Sequence, residues 1–137
     1  VAKTSANIDQ GLVRAVRNAS AYSSLNGIFP GFAPEKVDYP FATYNRVASP
    51  YEDDWSSRTI IALYDVFVFA RADEVAAKEL DQSIADALDG AQLTVDGMTT
   101  LICRRISDAP SFEDVDEEGK KIYQVGGSYE IWTDQSL

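Results

Sequence analysis

The stretch RTIIALYDVFVFAR, residues 58–71, constrains the fold more than any other part of the chain. β-Branched and aromatic residues follow one another with apolar side chains at both odd and even positions, so a strand here has two apolar faces. Such a strand belongs in the middle of a sheet, covered on both sides. Asp65 interrupts it between Tyr64 and Val66. A half-buried carboxylate in that position is expected to pair across the sheet, and Arg46, Arg104 and Arg105 on neighbouring predicted strands are the available partners.

The remaining elements arrange themselves around this strand. Residues 5–25 read as an amphipathic helix, with Ile8, Leu12, Val16 and Ala19 on one stripe, Val13 beside it, and Arg14 and Arg17 off it. Asn26-Gly27 supplies its stop. GIFPGFAPEKVDYP (27–40) is a Gly/Pro-punctuated excursion whose Ile28, Phe29 and Phe32 must be tucked against the body or against a partner. FATYNRV (41–47) reads as a strand, and ASPYEDDWSS (48–57) as an acidic, turn-rich connection. Asp73 can cap a second helix over 74–89, with Val75, Leu80, Ile84 and Leu88 as its apolar stripe and Gly90 as its stop.

Three strands are expected to follow. AQLTV (91–95) meets MTTLICRRIS (98–107) through an Asp96-Gly97 hairpin turn. The last, KIYQVGGSYEIWT (121–133), alternates, with Tyr123, Val125, Tyr129 and Ile131 on one face and Gln124, Ser128 and Glu130 on the other. Gly126-Gly127 suggests a bulge. The order α-β-β-α-β-β-β predicts a single α+β domain over 1–137. Two helices pack on one face of a largely antiparallel four- to five-stranded sheet.

Composition narrows the chemistry. Histidine is absent, which removes the commonest general base and transition-metal ligand together. Cys103 is the only cysteine, so no intrachain disulfide forms and a reducing compartment fits. Without a histidine to activate it, an inert core thiol is its expected role. The serines lack a neighbouring base or a nucleophile elbow, and no Walker or dinucleotide-binding glycine pattern occurs. No apolar run approaches the roughly 20 residues of a membrane helix. The opening VAKTSANIDQ lacks the apolar core of a secretory signal. A net charge of −10 argues against general phosphate-backbone binding, yet suits a surface past which nucleic acid must slide. No catalytic residue, metal ligand or cofactor site emerges.

Two acidic segments remain, Glu52-Asp53-Asp54 and the run Glu113, Asp114, Asp116, Glu117, Glu118. The second begins like a calcium loop, with Asp114, Asp116, Glu118 and Gly119 in near-matching slots. The closing bidentate Glu is replaced by Val125, Lys120 and Lys121 bring positive charge, and a strand follows where an exit helix should be. A solvated turn between strands is therefore favoured over an ion site, with a small acidic ligand- or calcium-binding module as the alternative. Acids sharing one wet loop also lack the unlike environments that acid/base catalysis needs. Trp55, set in EDDWSS, is either folded back or part of a protein interface.

Several segments together resemble the tail-completion (tail-terminator) proteins of long-tailed bacteriophages and of related prophage or gene-transfer particles. These are GLVRAVRNAS, DYPFATYNRVAS, IIALYDVFVFAR, ADEVAAKELDQSIADALDG and YQVGGSYEIW, in that order. The resemblance spans most of the chain and lies in order and composition rather than in one motif. It implies a non-enzymatic virion subunit, assembled in the bacterial cytoplasm, that forms a hexameric ring on the head-proximal end of the tail tube. Its partners would be further copies of itself, the tail tube protein and the head connector, with genome DNA passing through unbound. Head–tail joining proteins share the same order of elements and are the nearest alternative. On this reading Ile28, Phe29, Phe32 and Trp55 are candidate subunit contacts. The two acidic segments would face the lumen or the next ring.

Overall fold

The computed structural model describes residues 5–71 and 73–136. Residues 1–4 of the opening stretch weighed as a secretory signal lie outside them. The elements run α1 (Ser5–Arg17), β1 (Ile28–Pro30), β2 (Phe41–Ala48), β3 (Tyr51–Asp53), β4 (Ser57–Arg71), α2 (Glu74–Leu88), β5 (Thr99–Asp108), β6 (Phe112–Val115) and β7 (Lys121–Ser136). The strands form one seven-stranded sheet ordered β1-β2-β4-β7-β5, with β3 beside β4 and β6 beside β7.

The class is α+β, but the sheet is larger than expected and mixed. β1 runs parallel to β2, pairing Ile28 with Ala42 and Pro30 with Tyr44, so the 27–40 excursion contributes an edge strand. The acidic segments add β3 and β6, each a short antiparallel partner of a longer strand. Short apolar-acidic strands of three or four residues carry too little periodicity to be separated from turns.

β4 is central, as its sequence requires. All 15 of its residues pair antiparallel with β7, from Ser57 opposite Ser136 to Arg71 opposite Ile122. No register shift interrupts this ladder, so Gly126-Gly127 is not a bulge there. The glycines instead make room. A Cβ on Gly126 would collide with the Val66 carbonyl and lie 2.7 Å from Phe67 Cδ1, while one on Gly127 would lie 2.6 Å from the Arg105 guanidinium. The register shifts fall in β2 between Arg46 and Ala48, and in β5 between Thr100 and Ile102 and between Arg105 and Ser107.

Both helices lie on one face of the sheet. Ile8, Leu12 and Val16 of α1 and Ile84 and Leu88 of α2 bury against Ile60, Ala62, Tyr64, Val66 and Val68 of β4 and against Tyr129 and Ile131 of β7. α1 stops at Arg17 rather than near residue 25. Ser20, Ser23 and Ser24 are weak helix formers, and a 3₁₀ turn at Tyr22–Ser24 takes over. Ser83 of α2 holds this corner by accepting the Ala21 N–H at 3.0 Å. The buried stripe of α2 is Ala77, Asp81, Ile84 and Leu88, while Val75 is exposed. The helix is turned so that Asp81 faces the sheet. AQLTV is not a strand. Leu93 and Val95 plug the core end, and the absent side chain at Gly11 lets Thr94 and Val95 approach α1 closely.

Because Gly126 sits where a methyl group would strike backbone, Gly126→Ala is expected to lower stability by about 3 kcal/mol, the upper end of overpacking costs. Urea unfolding would show it as a fall in midpoint with unchanged slope.

Candidate functional site

The most concentrated polar geometry in the molecule is structural. Arg105 reaches back from β5 into the angle between α2 and the sheet, donating to the Asp81 carboxylate from Nη1 and Nη2 at 3.1 and 2.9 Å. It also donates to the Tyr129 hydroxyl at 3.0 Å, the Gly126 carbonyl at 2.9 Å and Asp108 at 2.8 Å. A fork shared by two carboxylates, a phenol and a carbonyl satisfies nearly every donor of a mostly buried guanidinium. Burial pushes the Tyr129 hydroxyl up to about 12, against the opposing pull of Arg105.

The expected pairing of Asp65 with an arginine is not what forms. Asp65 accepts from the Ser128 hydroxyl at 2.6 Å. Arg46 approaches Asp9 of α1 at 4.0 Å, Arg104 pairs with Glu130, and Arg105 with Asp81. Alternation explains the misassignment. Asp65 points to the face away from the helices, whereas Arg46 and Arg105 stand opposite Tyr64 and Tyr129 on the helix face. Arg104 shares the face of Asp65 but stands directly across from Glu130. Asp9 and Asp81 lie in helical stripes otherwise read as amphipathic, so their pairing is a tertiary fact. Tyr64, fully buried, also donates its hydroxyl to Asp9; burial and that contact raise its pKa.

Cys103 is buried, and burial with nearby Asp89 pushes its thiol up to about 12, so little thiolate exists at neutral pH. Among the described residues no group of three or more His, Cys, Asp or Glu is placed to hold a metal ion. The calcium-like run is a tight hairpin turn. The Asp116 carboxylate accepts the N–H groups of Glu118 and Lys120 at 2.9 and 2.8 Å and pairs with Arg71 at 2.9 Å. Glu113 pairs with Lys121 at 3.2 Å and Glu118 with Lys120 at 3.7 Å, while Asp114 and Glu117 are exposed.

The other acidic segment makes a second ordered turn. Asp53 is bound by Arg58 at 2.7 Å, and that contact holds its carboxyl below the usual range. Asp54 accepts the N–H groups of Ser56 and Ser57, each at 2.8 Å, which lowers its pKa too. Glu52 is exposed. The two acidic segments are not brought together. One leads into the first residues of β4 and the other, between β6 and β7, lies beside its last through the Arg71–Asp116 pair, roughly 40 Å apart for a strand of this length.

The apolar residues that remain exposed are more informative. The face of the sheet away from the helices carries Ile61, Leu63, Phe67 and Phe69 of β4, Trp132 of β7 and Ile102 of β5, all partly or largely exposed. Among the described residues no helix or second sheet lies on this face. At one end the 31–39 loop reaches over it, where Tyr39 lies tilted against Phe41 and Phe41 stacks on Phe69 of β4, each at 5.1 Å between ring centres. Ile28 is buried on the helix side and is not an outward contact, whereas Phe29 is half-buried at 6.4 Å from Phe41. Phe32 and Trp55 are exposed, Trp55 completely. The sequence predicts cover on both faces of β4; the two helices supply it on one face only, and the second apolar face carries no second layer among the described residues.

Residues 10–134 match the family described as tail completion protein gp17. The chain belongs to the tail completion protein gp17 family. As a tail completion protein it is a structural protein of a phage-like virion, and its place is the virion tail. The same fold occurs in a solved structure described as the virion of a native gene transfer agent (GTA) particle. The likeness has a TM-score of 0.75 at 12% identity and covers 97% of this chain and 99% of that one. A second solved chain, at TM-score 0.49 and 7% identity over 92% of this chain and 91% of that one, is too distant to carry weight. No curated protein matches the chain.

For the tail completion protein the Arg105 cluster is a fastener. Arg105→Met leaves Asp81 buried without its cation and is expected to cost about 3–5 kcal/mol. Arg105→Met/Asp81→Leu is expected to recover most of that loss, which a double-mutant cycle by chemical unfolding checks.

Proposed function

We propose that this chain is a tail-terminator subunit, a single domain that assembles into a hexameric ring on the head-proximal end of the tail tube, stops tube growth and joins the tail to the head connector. The observation that carries the reading is the helix-free face of the sheet. It is rich in Phe, Leu, Ile and Trp and open in the isolated chain. An apolar sheet face of this kind marks a protein interface, and a virion tail component meets copies of itself and its neighbours in the tail.

The role is mechanical rather than enzymatic. The buried tyrosines and thiol are held in protonated, inaccessible states. The ordered polar clusters are consumed by pairing between elements. The acidic turn between β6 and β7 suits a surface turned to the lumen or to the next ring. There, negative charge lets DNA phosphates pass without sticking. Genome DNA, the tail tube protein and head connector proteins are the partners on this reading.

Particles assembled without this chain test it. Tails of irregular, excessive length that fail to join filled heads are expected in electron micrographs. Particles with tails of normal length attached to heads would contradict the proposal.

A further inference from the structure

Among the described residues, Arg17 and Lys36 are the basic side chains without an ion pair. Arg17 stands on the rim of an open groove of about 620 Å³ between α1 and the β1–β2 edge of the sheet. Asp9, Gln10, Val13, Arg14 and Arg17 form its helical side, and Ile28 and Tyr44 its floor. Asp9 is already engaged by Tyr64 and Arg46. Arg14 shares its charge with exposed Asp96 at 3.4 Å. The rim is thus basic over an apolar floor, in a chain whose net charge is −10.

The complementary object lies elsewhere in the same chain. The β3–β4 turn presents Trp55 wholly to solvent, with Glu52, Asp53 and Asp54 behind it. Asp54 fixes the turn through the N–H groups of Ser56 and Ser57, so the indole is displayed on a stiff support. Glu52 forms no ion pair. Turn and groove cannot meet within one molecule. The turn opens β4 at Ser57, whereas Tyr44 of the groove stands opposite Val66, roughly 30 Å along the strand.

We propose that the acidic Trp55 turn of one copy seats in the arginine-rimmed groove of the next. The indole lies over the Ile28–Tyr44 floor and against Val13, beside the Arg14 and Arg17 guanidiniums, and Glu52 faces Arg17. Tryptophan and arginine are the residues that most often anchor interfaces, and a guanidinium over an indole adds cation–π attraction. Two different surfaces of one chain meeting each other make a heterologous contact, which closes into a ring when the rotation per step allows it. This inference rests on the ring reading above and names the contact that would hold it.

The test uses assembled particles and the purified chain. Arg17→Glu and Glu52→Arg are each expected to reduce self-association or incorporation into particles at least tenfold, and the double exchange to restore it to within about threefold. Trp55→Ala is expected to reduce it as strongly. All four variants should melt like the wild type, because the altered side chains are exposed. With cysteines at 17 and 52 together, a short bismaleimide should give a ladder of cross-linked species beyond the dimer, and neither single cysteine should cross-link. A ring seen in micrographs with no ladder and no effect of charge exchange overturns the contact and leaves the ring standing. Absence of any ring, in solution and in particles, overturns both.

Discussion

The pairing of β4 with β7 is the constraint on which the rest of the structure depends. All 15 residues of β4 are committed to it, and every other strand is attached to one of these two, except β1, which is held through β2. The unbroken register makes the two faces of the sheet strict alternates of one another. Ile60, Ala62, Tyr64, Val66 and Val68 must all face the helices once any one of them does. Ile61, Leu63, Phe67 and Phe69 must then all face the other way. Gly126 and Gly127 keep that register possible by giving up side chains where Phe67 and Arg105 need the space. The same ladder that builds the core therefore also builds the uncovered face.

Much of this was legible in the residues, and the gaps have physical causes. The central strand and both helices follow from apolar periodicity, and the Asp73 cap of α2 follows from its residue type and position. Short strands at β1, β3 and β6 were not separable from turns, because their pairing is decided by the long strand beside them. Nothing local to α2 marks Asp81 as other than a solvent-facing acid, because its partner, the Arg105 fork, comes from β5. Asp65 is half-buried as its place in the strand predicts, but it meets Ser128 rather than an arginine, since face parity across three strands decides who meets whom. Ile28 and Phe29 are adjacent and look alike in sequence, yet one is core and the other outward.

The polar clusters divide by role. Arg105 with Asp81, and Asp9 with Tyr64 and Arg46, join helices to the sheet and account for buried charge without any chemistry. The acidic turns at Asp54 and Asp116 are ordered by backbone N–H groups and stay at the surface, so they can present charge, or Trp55, without costing the core. A tail completion protein built this way separates its tasks. One face of the sheet secures the fold, and the other face and the turns are free for neighbours.

Hydroxyl-radical footprinting of the free chain against the assembled particle tests that division most directly. In the free chain Leu63, Phe67, Phe69 and Trp132 should oxidise readily, and Tyr64 and Tyr129 hardly at all. In the particle the first four should become protected severalfold while the two tyrosines stay as they were. Equal oxidation of the open face in both states would contradict the account, because the face would then have no partner in the virion.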